Sequence, residues 1–329
     1  MNNTSTLLES LYRRAKTNPK RVIFPESSDP RVIEAVRNLA FSEVCTPVVL
    51  SRSQSVVELE GVEVFDEVAD YEPWLQRVYA DYADRAKDKP SQSEVEQLFN
   101  TSPLMLAACL VRLGYADAGV AGSLATTADV LRAGIKGLGL AADSRLVSST
   151  FLMELNGSVF TYGDCGVNPE PSEEQLADIA IASALSHKRL SGEQPKVAML
   201  SFSTKGSARH DKVSKMQRAT DLAQTIIKEN QLNIAIDGEL QFDAALLPTI
   251  AAKKAPNSLV AGKANVFIFP DLDAGNIAYK ITERLAGAMA LGPLLQGLAK
   301  PWMDLSRGCS ADDIVNVAVI AAVLSQPLS

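Results

Sequence analysis

Ala299-Lys-Pro-Trp-Met-Asp-Leu-Ser-Arg-Gly-Cys-Ser-Ala-Asp-Asp313 joins an apolar, strand-like run, Gly292 to Leu298, to an apolar last helix, Ile314 to Leu324. A strand that turns through polar residues into a helix is the repeating unit of an α/β fold. The turn carries a hydroxyl (Ser306), a guanidinium (Arg307), a glycine (Gly308) and a carboxylate (Asp313). Backbone N–H groups converge where a strand end feeds a helix, so such turns are natural anion sites. An arginine fork there binds two oxygens of one anion at once. Ser310-Ala-Asp-Asp313 also fits a capping box, with Ser310 as N-cap and Asp313 at the third helical position. Asp313 as a cap and Asp313 as a functional carboxylate both stay open on spacing alone.

The same rhythm extends outward. Thr6 to Lys16 reads as a helix, Arg21 to Phe24 as a buried strand ending at Pro25-Glu26, and Asp29-Pro30 as the next helix start. Thr46 to Leu50 and Val62 to Phe65 read as short strands, and Trp74 to Lys87, Ser93 to Phe99 and Pro103 to Leu113 as helices. Alternation of this kind predicts a largely parallel sheet. At Asn156-Gly157 it breaks, because the flanking runs Val147 to Leu155 and Val159 to Tyr162 predict an antiparallel hairpin. A domain boundary is expected near residue 141. Beyond it come a capping box at Ser172 to Gln175 that opens a helix, strands at Lys196 to Ser201, Asn233 to Glu239 and Ala264 to Asp271, and a helix at Asn276 to Met289.

Composition narrows the function. The 329 residues, 47% hydrophobic and 22% charged, suit a globular protein of two domains or one large one. A net charge of −7 without a dense basic block argues against nucleic acid, so any anionic ligand needs a locally basic site. Cys45, Cys109, Cys165 and Cys309 lack metal-like spacing, and two histidines, His187 and His210, exclude a His-rich metal site. No metal and no cofactor are expected. Met1 to Arg21 lacks the apolar core of a leader, and no apolar run has the length of a membrane span. A cytoplasmic protein with reduced cysteines is the expectation.

Three further stretches offer chemistry. Ala116 to Gly122 reads as a small-residue strand running into Ser123-Leu-Ala-Thr-Thr127, then a helix with Asp129 and Arg132. This repeats the first turn, though Thr126 or Thr127 also serves as a plain cap. Phe202-Ser-Thr-Lys-Gly-Ser-Ala-Arg-His210 gathers Ser203, Thr204, Lys205 and Gly206 as anion-binding candidates, with a merely solvated loop as the alternative; P-loop spacing is absent. Asp237-Gly-Glu239 pairs two acids at a strand end, either for a metal or acid/base work or as an ordinary turn.

Together these blocks resemble the phosphotransacetylase (phosphate acetyltransferase) family over essentially the whole chain. The most specific parts are Ser201 to Ala208, Ile236 to Asp243, Lys254 to Ser258, Ala261 to Asp271, Gly275 to Lys280, Gln296 to Pro301 and Asp304 to Ser310. The length and Val130-Leu-Arg-Ala-Gly134 are similar to the short ethanolamine-utilisation type. The resemblance implies two α/β domains of the isocitrate/isopropylmalate dehydrogenase-like kind with a cleft between them. The domains are expected at 1–141 plus 297–329, discontinuous, and 142–296, the latter dimerising. It further implies reversible acetyl transfer between acetyl-CoA and phosphate, giving acetyl phosphate and CoA, in a homodimer. The family's catalytic serine, arginine and aspartate fall on Ser306, Arg307 and Asp313. Its further arginines fall on Arg132 and Arg85, and its phosphate-contacting hydroxyls on Thr126 and Thr127. Trp302-Met303 departs from the smaller or polar residues common there, which bears on acyl-chain preference.

In the implied chemistry the CoA thiol, with an ordinary pKa of about 8.5, attacks the acetyl carbonyl directly in a ternary complex. Asp313 is expected as general base; an ordinary aspartate at about 3.9 makes full proton transfer cost roughly 6 kcal/mol, so partial desolvation, or an orienting role, is expected of it. Arg307 binds phosphate and the oxyanion, and Ser306 donates to either. Rival readings are a phosphate butyryltransferase, a metal- and nicotinamide-dependent dehydrogenase using Asp237 and Glu239, and a non-catalytic CoA-binding scaffold protein.

Overall fold

The computed structural model of the chain describes residues 6–51, 59–66 and 71–327. The first five residues of the stretch read above as free of a leader lie outside them. Two compact units divide the chain, Met1–Ala142 with Leu298–Ser329, and Asp143–Gly297.

The first unit opens with α1 (Thr6–Thr17), β1 (Arg21–Phe24), α2 (Pro30–Ser42), β2 (Thr46–Ser51), β3 (Glu63–Asp66), α3 (Tyr71–Arg85), α4 (Gln92–Thr101), α5 (Pro103–Arg112), β4 (Ala118–Ala121) and α6 (Thr127–Ala133), which runs into one π-helical turn, Gly134–Leu138. The second unit follows with β5 (Ser148–Leu155), β6 (Ser158–Gly163), α7 (Glu173–Ser191), β7 (Lys196–Leu200), α8 (Asp211–Glu229), β8 (Ala235–Leu240), α9 (Phe242–Leu246), α10 (Pro248–Lys254), β9 (Val266–Ile268), α11 (Leu272–Ala286) and β10 (Met289–Gln296). The chain then returns to the first unit as β11 (Trp302–Asp304) and α12 (Ala311–Ser325).

The first unit's sheet has the order β11-β4-β1-β2-β3 and is parallel throughout. α12 is apolar on nearly every face because it is buried on nearly every face: Ile314, Val315 and Val317 to Val323 pack against α1, α2 and β4. Placing the last strand at the edge beside β4, rather than at the far edge beside β3, is what brings the C-terminal turn next to the loops that leave β4 and β1. The second sheet has the order β10-β5-β6-β9-β7-β8, with β10, β5 and β6 antiparallel and the remainder parallel. The hairpin turns at Asn156 (φ 51°) and Gly157 (φ 77°), the two positive values that an Asn-Gly pair supplies at least cost.

Three sequence expectations change. The run Gly292 to Leu298 does not lead into the focal turn as its strand. Its first residues complete β10 against β5, and the strand that enters the turn is Trp302–Asp304. Trp302 and Met303 are fully buried in that strand, so their departure from small or polar residues is a packing feature of the sheet. The helix expected at Asn276 to Met289 is α11, shifted toward its N-terminus, because the Asp271 side chain caps it at Ala274 N–H and Gly287 ends it at φ 69°. Helices α8, α9 and α10 are additions that the sequence reading does not place.

Candidate active site

Three loops leave the C-terminal ends of adjacent parallel strands: Pro25 to Asp29 after β1, Gly122 to Thr126 after β4, and Leu305 to Ser310 after β11. Crevices at such ends are where α/β sheets bind ligands.

The loop after β4 is organised around a residue the sequence reading did not single out. The buried Glu26 carboxylate accepts from four consecutive backbone N–H groups: Gly122 (2.7 Å), Ser123 (2.9 Å), Leu124 (3.0 Å) and Ala125 (2.7 Å). The Ser123 hydroxyl donates as well, at 3.2 Å. The anion nest that the Gly-Ser-Leu-Ala pattern suggested therefore exists, and the protein fills it with its own carboxylate. Gly122 is required there: its φ is 107°, and a Cβ would stand 2.6 Å from Asp304 Oδ1 and 2.8 Å from the Leu305 nitrogen.

Arg31 ties the three loops together. Its Nε and Nη2 donate to Asp29 at 3.1 and 2.7 Å, and Nη2 also donates to Ser123 O at 2.9 Å. Nη1 donates to the carbonyls of Arg307 (2.9 Å) and Cys309 (2.8 Å). All five N–H groups of the guanidinium are thus committed, which makes Arg31 a clamp on the Ser306–Cys309 turn with no donor left for a ligand. The Arg31 hydrogen bonds hold the Asp29 carboxyl below its ordinary pKa.

On that clamped turn Ser306 and Arg307 are exposed. Ser306 Oγ accepts from Gly308 N–H at 3.3 Å, and the Arg307 guanidinium has no hydrogen bond or ion pair among the described residues. Asp313 is exposed and fills the expected capping box, accepting from Ser310 N–H (2.9 Å) and Oγ (2.8 Å). Cys309 is buried, and burial pushes its thiol up, away from the reactive thiolate. Beneath the turn, Asp304 ends β11 at 2% exposure; burial pushes its carboxyl up to about 6, the Thr127 hydroxyl pulls it down and the Glu26 charge pushes it up.

Thr126 is the N-cap of α6: it accepts from Asp129 N–H (3.2 Å) and donates to Asp129 Oδ2 (2.7 Å). Arg132 pairs with Asp129 at 2.6 Å across an exposed helix face. Arg85 donates to Asp81 (2.8 Å) and to the carbonyls of Lys136 (3.1 Å) and Gly137 (2.9 Å), where it secures the π-helical turn. Arg112, which the sequence reading passed over, does the same at Leu138 O, 2.9 Å.

The other candidates belong to the second unit. Ser203 Oγ donates to Glu239 at 2.9 Å, Gly206 N–H donates to the same oxygen at 2.8 Å, and Gln241 N–H donates to Thr204 Oγ1 at 2.9 Å. Lys205 pairs with Asp237 and donates to Gly238 O at 2.7 Å. Asp237 and Glu239 are thereby spent on latching this loop to β8. Burial pushes Glu239 up, but hydrogen bonds from Gly206, Gln217 and Ser203 outweigh it and hold the carboxyl below its ordinary value.

The model of the phosphate acetyl/butaryl transferase family matches residues 6–322. A phosphate acetyltransferase of Acetivibrio thermocellus is 42% identical over 335 residues, covering 98% of both chains. The structure is similar to that of EutD phosphotransacetylase from Staphylococcus aureus, with a TM-score of 0.91 at 38% identity over 97% of this chain and 98% of that one. A putative 4-hydroxythreonine-4-phosphate dehydrogenase from Salmonella typhimurium shares the fold alone, at TM-score 0.53 and 12% identity over 93% of this chain and 99% of that one. The fold is the α/β, isocitrate dehydrogenase-like one with two sheets.

Proposed function

The chain belongs to the phosphate acetyl/butaryl transferase family and is an acyltransferase, a phosphate acetyltransferase; from that premise we propose that it moves the acetyl group by direct attack of the CoA thiol on acetyl phosphate, and the reverse, at the Ser306–Asp313 turn. The observation that carries this reading is the Arg307 guanidinium: exposed, without a partner among the described residues, and held on a turn whose carbonyls Arg31 clamps.

Sulfur bonds to the acetyl carbon, the bond from that carbon to the phosphoryl oxygen breaks, and phosphate leaves. Arg307 holds the phosphoryl oxygens and, with the Ser306 hydroxyl, balances charge on the carbonyl oxygen in the tetrahedral transition state. Asp313 receives the thiol proton, or orients the thiol while the departing phosphate takes that proton. The two hydrogen bonds that Asp313 accepts from Ser310 fix the carboxylate in one orientation, which favours the orienting role. Thr127, Arg132 and Arg85, with Thr126 as cap, complete the substrate contacts in this unit. Ser203, Thr204, Lys205 and Gly206 are the candidates in the other.

A second copy of the chain is the proposed partner, docked through the second unit. α11 turns Ile277, Ile281 and Leu285 outward at successive turns, and Leu285 is 84% exposed beside an apolar groove lined by Phe242 and Leu246. A cytoplasmic location suits its substrates and four free cysteines.

Purified protein without added metal is expected to release CoA thiol from acetyl-CoA only when phosphate is present, and faster than from butyryl-CoA. Arg307→Gln is expected to lower kcat/KM by roughly 10–150-fold, the worth of one charged hydrogen bond. Unchanged kinetics in that variant would remove the turn from the mechanism.

A further inference from the structure

Two acids are buried side by side beneath the focal turn, and they are unequally supplied with donors. Glu26 receives the N–H groups of Gly122 to Ala125. Asp304 lies against the α-carbon of the same Gly122, where a Cβ would meet its Oδ1 at 2.6 Å, and that oxygen has no hydrogen-bond partner among the described residues. The parallel register locks it in place, since Asp304 pairs with Ala121 and Leu305 N–H donates to Ala121 O at 2.8 Å. The groups that face the carboxyl are Glu26 from the loop after β1, the Thr127 hydroxyl from α6, and the backbone of Gly122 and Leu305. No cation pairs with it among the described residues. A carboxyl this poorly solvated, with another carboxylate beside it, holds its proton more tightly. Burial accordingly pushes Asp304 up to about 6.

Thr127 translates this into ligand binding. A threonine hydroxyl has one proton to donate, and an ionised carboxylate only accepts. Beside ionised Asp304 the Thr127 proton points inward, which presents oxygen lone pairs to an incoming anion. When Asp304 is protonated, its own O–H donates to Thr127, and the Thr127 proton is released outward. Thr126 has no such freedom, because its hydroxyl is spent on Asp129.

We propose that Asp304 is a positioning residue of the phosphoryl subsite: it takes up one proton from water when a phosphoryl-like dianion binds at Thr127 and the Ser306-Arg307 turn, and so turns the Thr127 hydroxyl toward the ligand. The inference rests on the phosphoryl reading of this turn given above. The bound dianion raises the proton affinity of Asp304 further, so binding is tightest below the free value, weakens as pH rises through it, and levels off above the bound value.

Sulfate is the probe, because it stays a dianion where phosphate itself titrates. Its affinity for the full-length protein, measured by calorimetry, is expected to weaken roughly ten-fold between about pH 5.5 and about pH 8, equivalent to a tenfold rise in the proton affinity of Asp304. Asp304→Asn is expected to bind sulfate with no pH step. If that variant fails to fold, Thr127→Val carries the test, keeping Asp304 and losing the step. Infrared difference spectra at about pH 6.5 are expected to show a protonated carboxyl band appearing with sulfate in the wild type only. A pH-independent wild-type affinity overturns the proposal, as does a step that survives in either variant. Absence of sulfate binding at every pH also overturns it, and the phosphate-dependent CoA release assay then tells whether the phosphoryl reading falls with it.

Discussion

Glu26 accepts from four consecutive amides almost a hundred residues away in sequence, and this is where the site is most sensitive to a single atom. Glu26→Gln keeps the shape but turns an NH₂ group toward donors, leaving buried N–H groups unmet at about 1–3 kcal/mol each. A stability loss of at least about 2 kcal/mol follows, read by calorimetry as a melting temperature lowered by about 4–8 °C. An unchanged melting temperature would mean that water fills the nest equally well. Asp313→Asn is the contrasting case: asparagine keeps an oxygen for Ser310 N–H, so stability is expected to hold while turnover falls far more than KM changes. Near-normal turnover in that variant removes both the base and the orienting role. Ser306, Arg307 and Asp313 were legible as candidates because all of them lie in one local stretch of sequence. Glu26 and Arg31 were not, since their partners are set by which strands lie side by side.

β11 and α12 are the elements on which the site depends. β11 is only three residues long, and Trp302 anchors it, fully buried with its Nε1 donating to Val130 O at 3.1 Å. Gly119 on β4 makes room, since a Cβ at that position would run into the Trp302 ring. Gly119→Ala is therefore expected to cost about 1–3 kcal/mol through overpacking, and to lower activity further by displacing the turn two residues beyond Met303 and Asp304. Pairing Gly119→Ala with Trp302→Phe tests the cause: partial recovery of stability is expected, and purely additive losses would place the strain elsewhere. The sequence reading found α12 and its capping box from local spacing. It placed the strand too early, in Gly292 to Leu298, because two apolar segments compete there and only sheet pairing decides between them.

At the scale of the whole molecule, two buried groups, one in each unit, respond to acid in opposite directions. His187 in the second unit is fully buried, its Nδ1 bonded to Thr161 Oγ1 at 2.9 Å, and burial with nearby Lys196 lowers its pKa to about 4. The unfolded chain binds a proton there below the ordinary 6.5, so that stability is lost as pH falls from 6.5 toward about 4, by about 3 kcal/mol in full. Asp304 has the opposite sign: its carboxyl holds a proton in the folded state up to about 6, so acid stabilises the first unit by about 3 kcal/mol in full between about 6 and the ordinary 3.8. Hydrogen exchange at pH 6.5 and about pH 5, corrected for intrinsic rates, is expected to show α7 and β6 losing protection while β11 and α12 gain it. Parallel changes in both units would contradict these assignments, and His187→Gln should flatten the second unit's response alone. The sequence by itself determined the family, the α/β class and the Ser306–Asp313 turn, because periodicity, caps and ordered motifs are written within about ten residues of one another. Tertiary structure alone decided that Glu26 fills the nest, that Arg31 spends all its donors on the loops, and that Asp304 is a buried acid with one unpartnered oxygen. Desolvation and donor supply depend on which distant segments pack together, and local spacing carries no record of that.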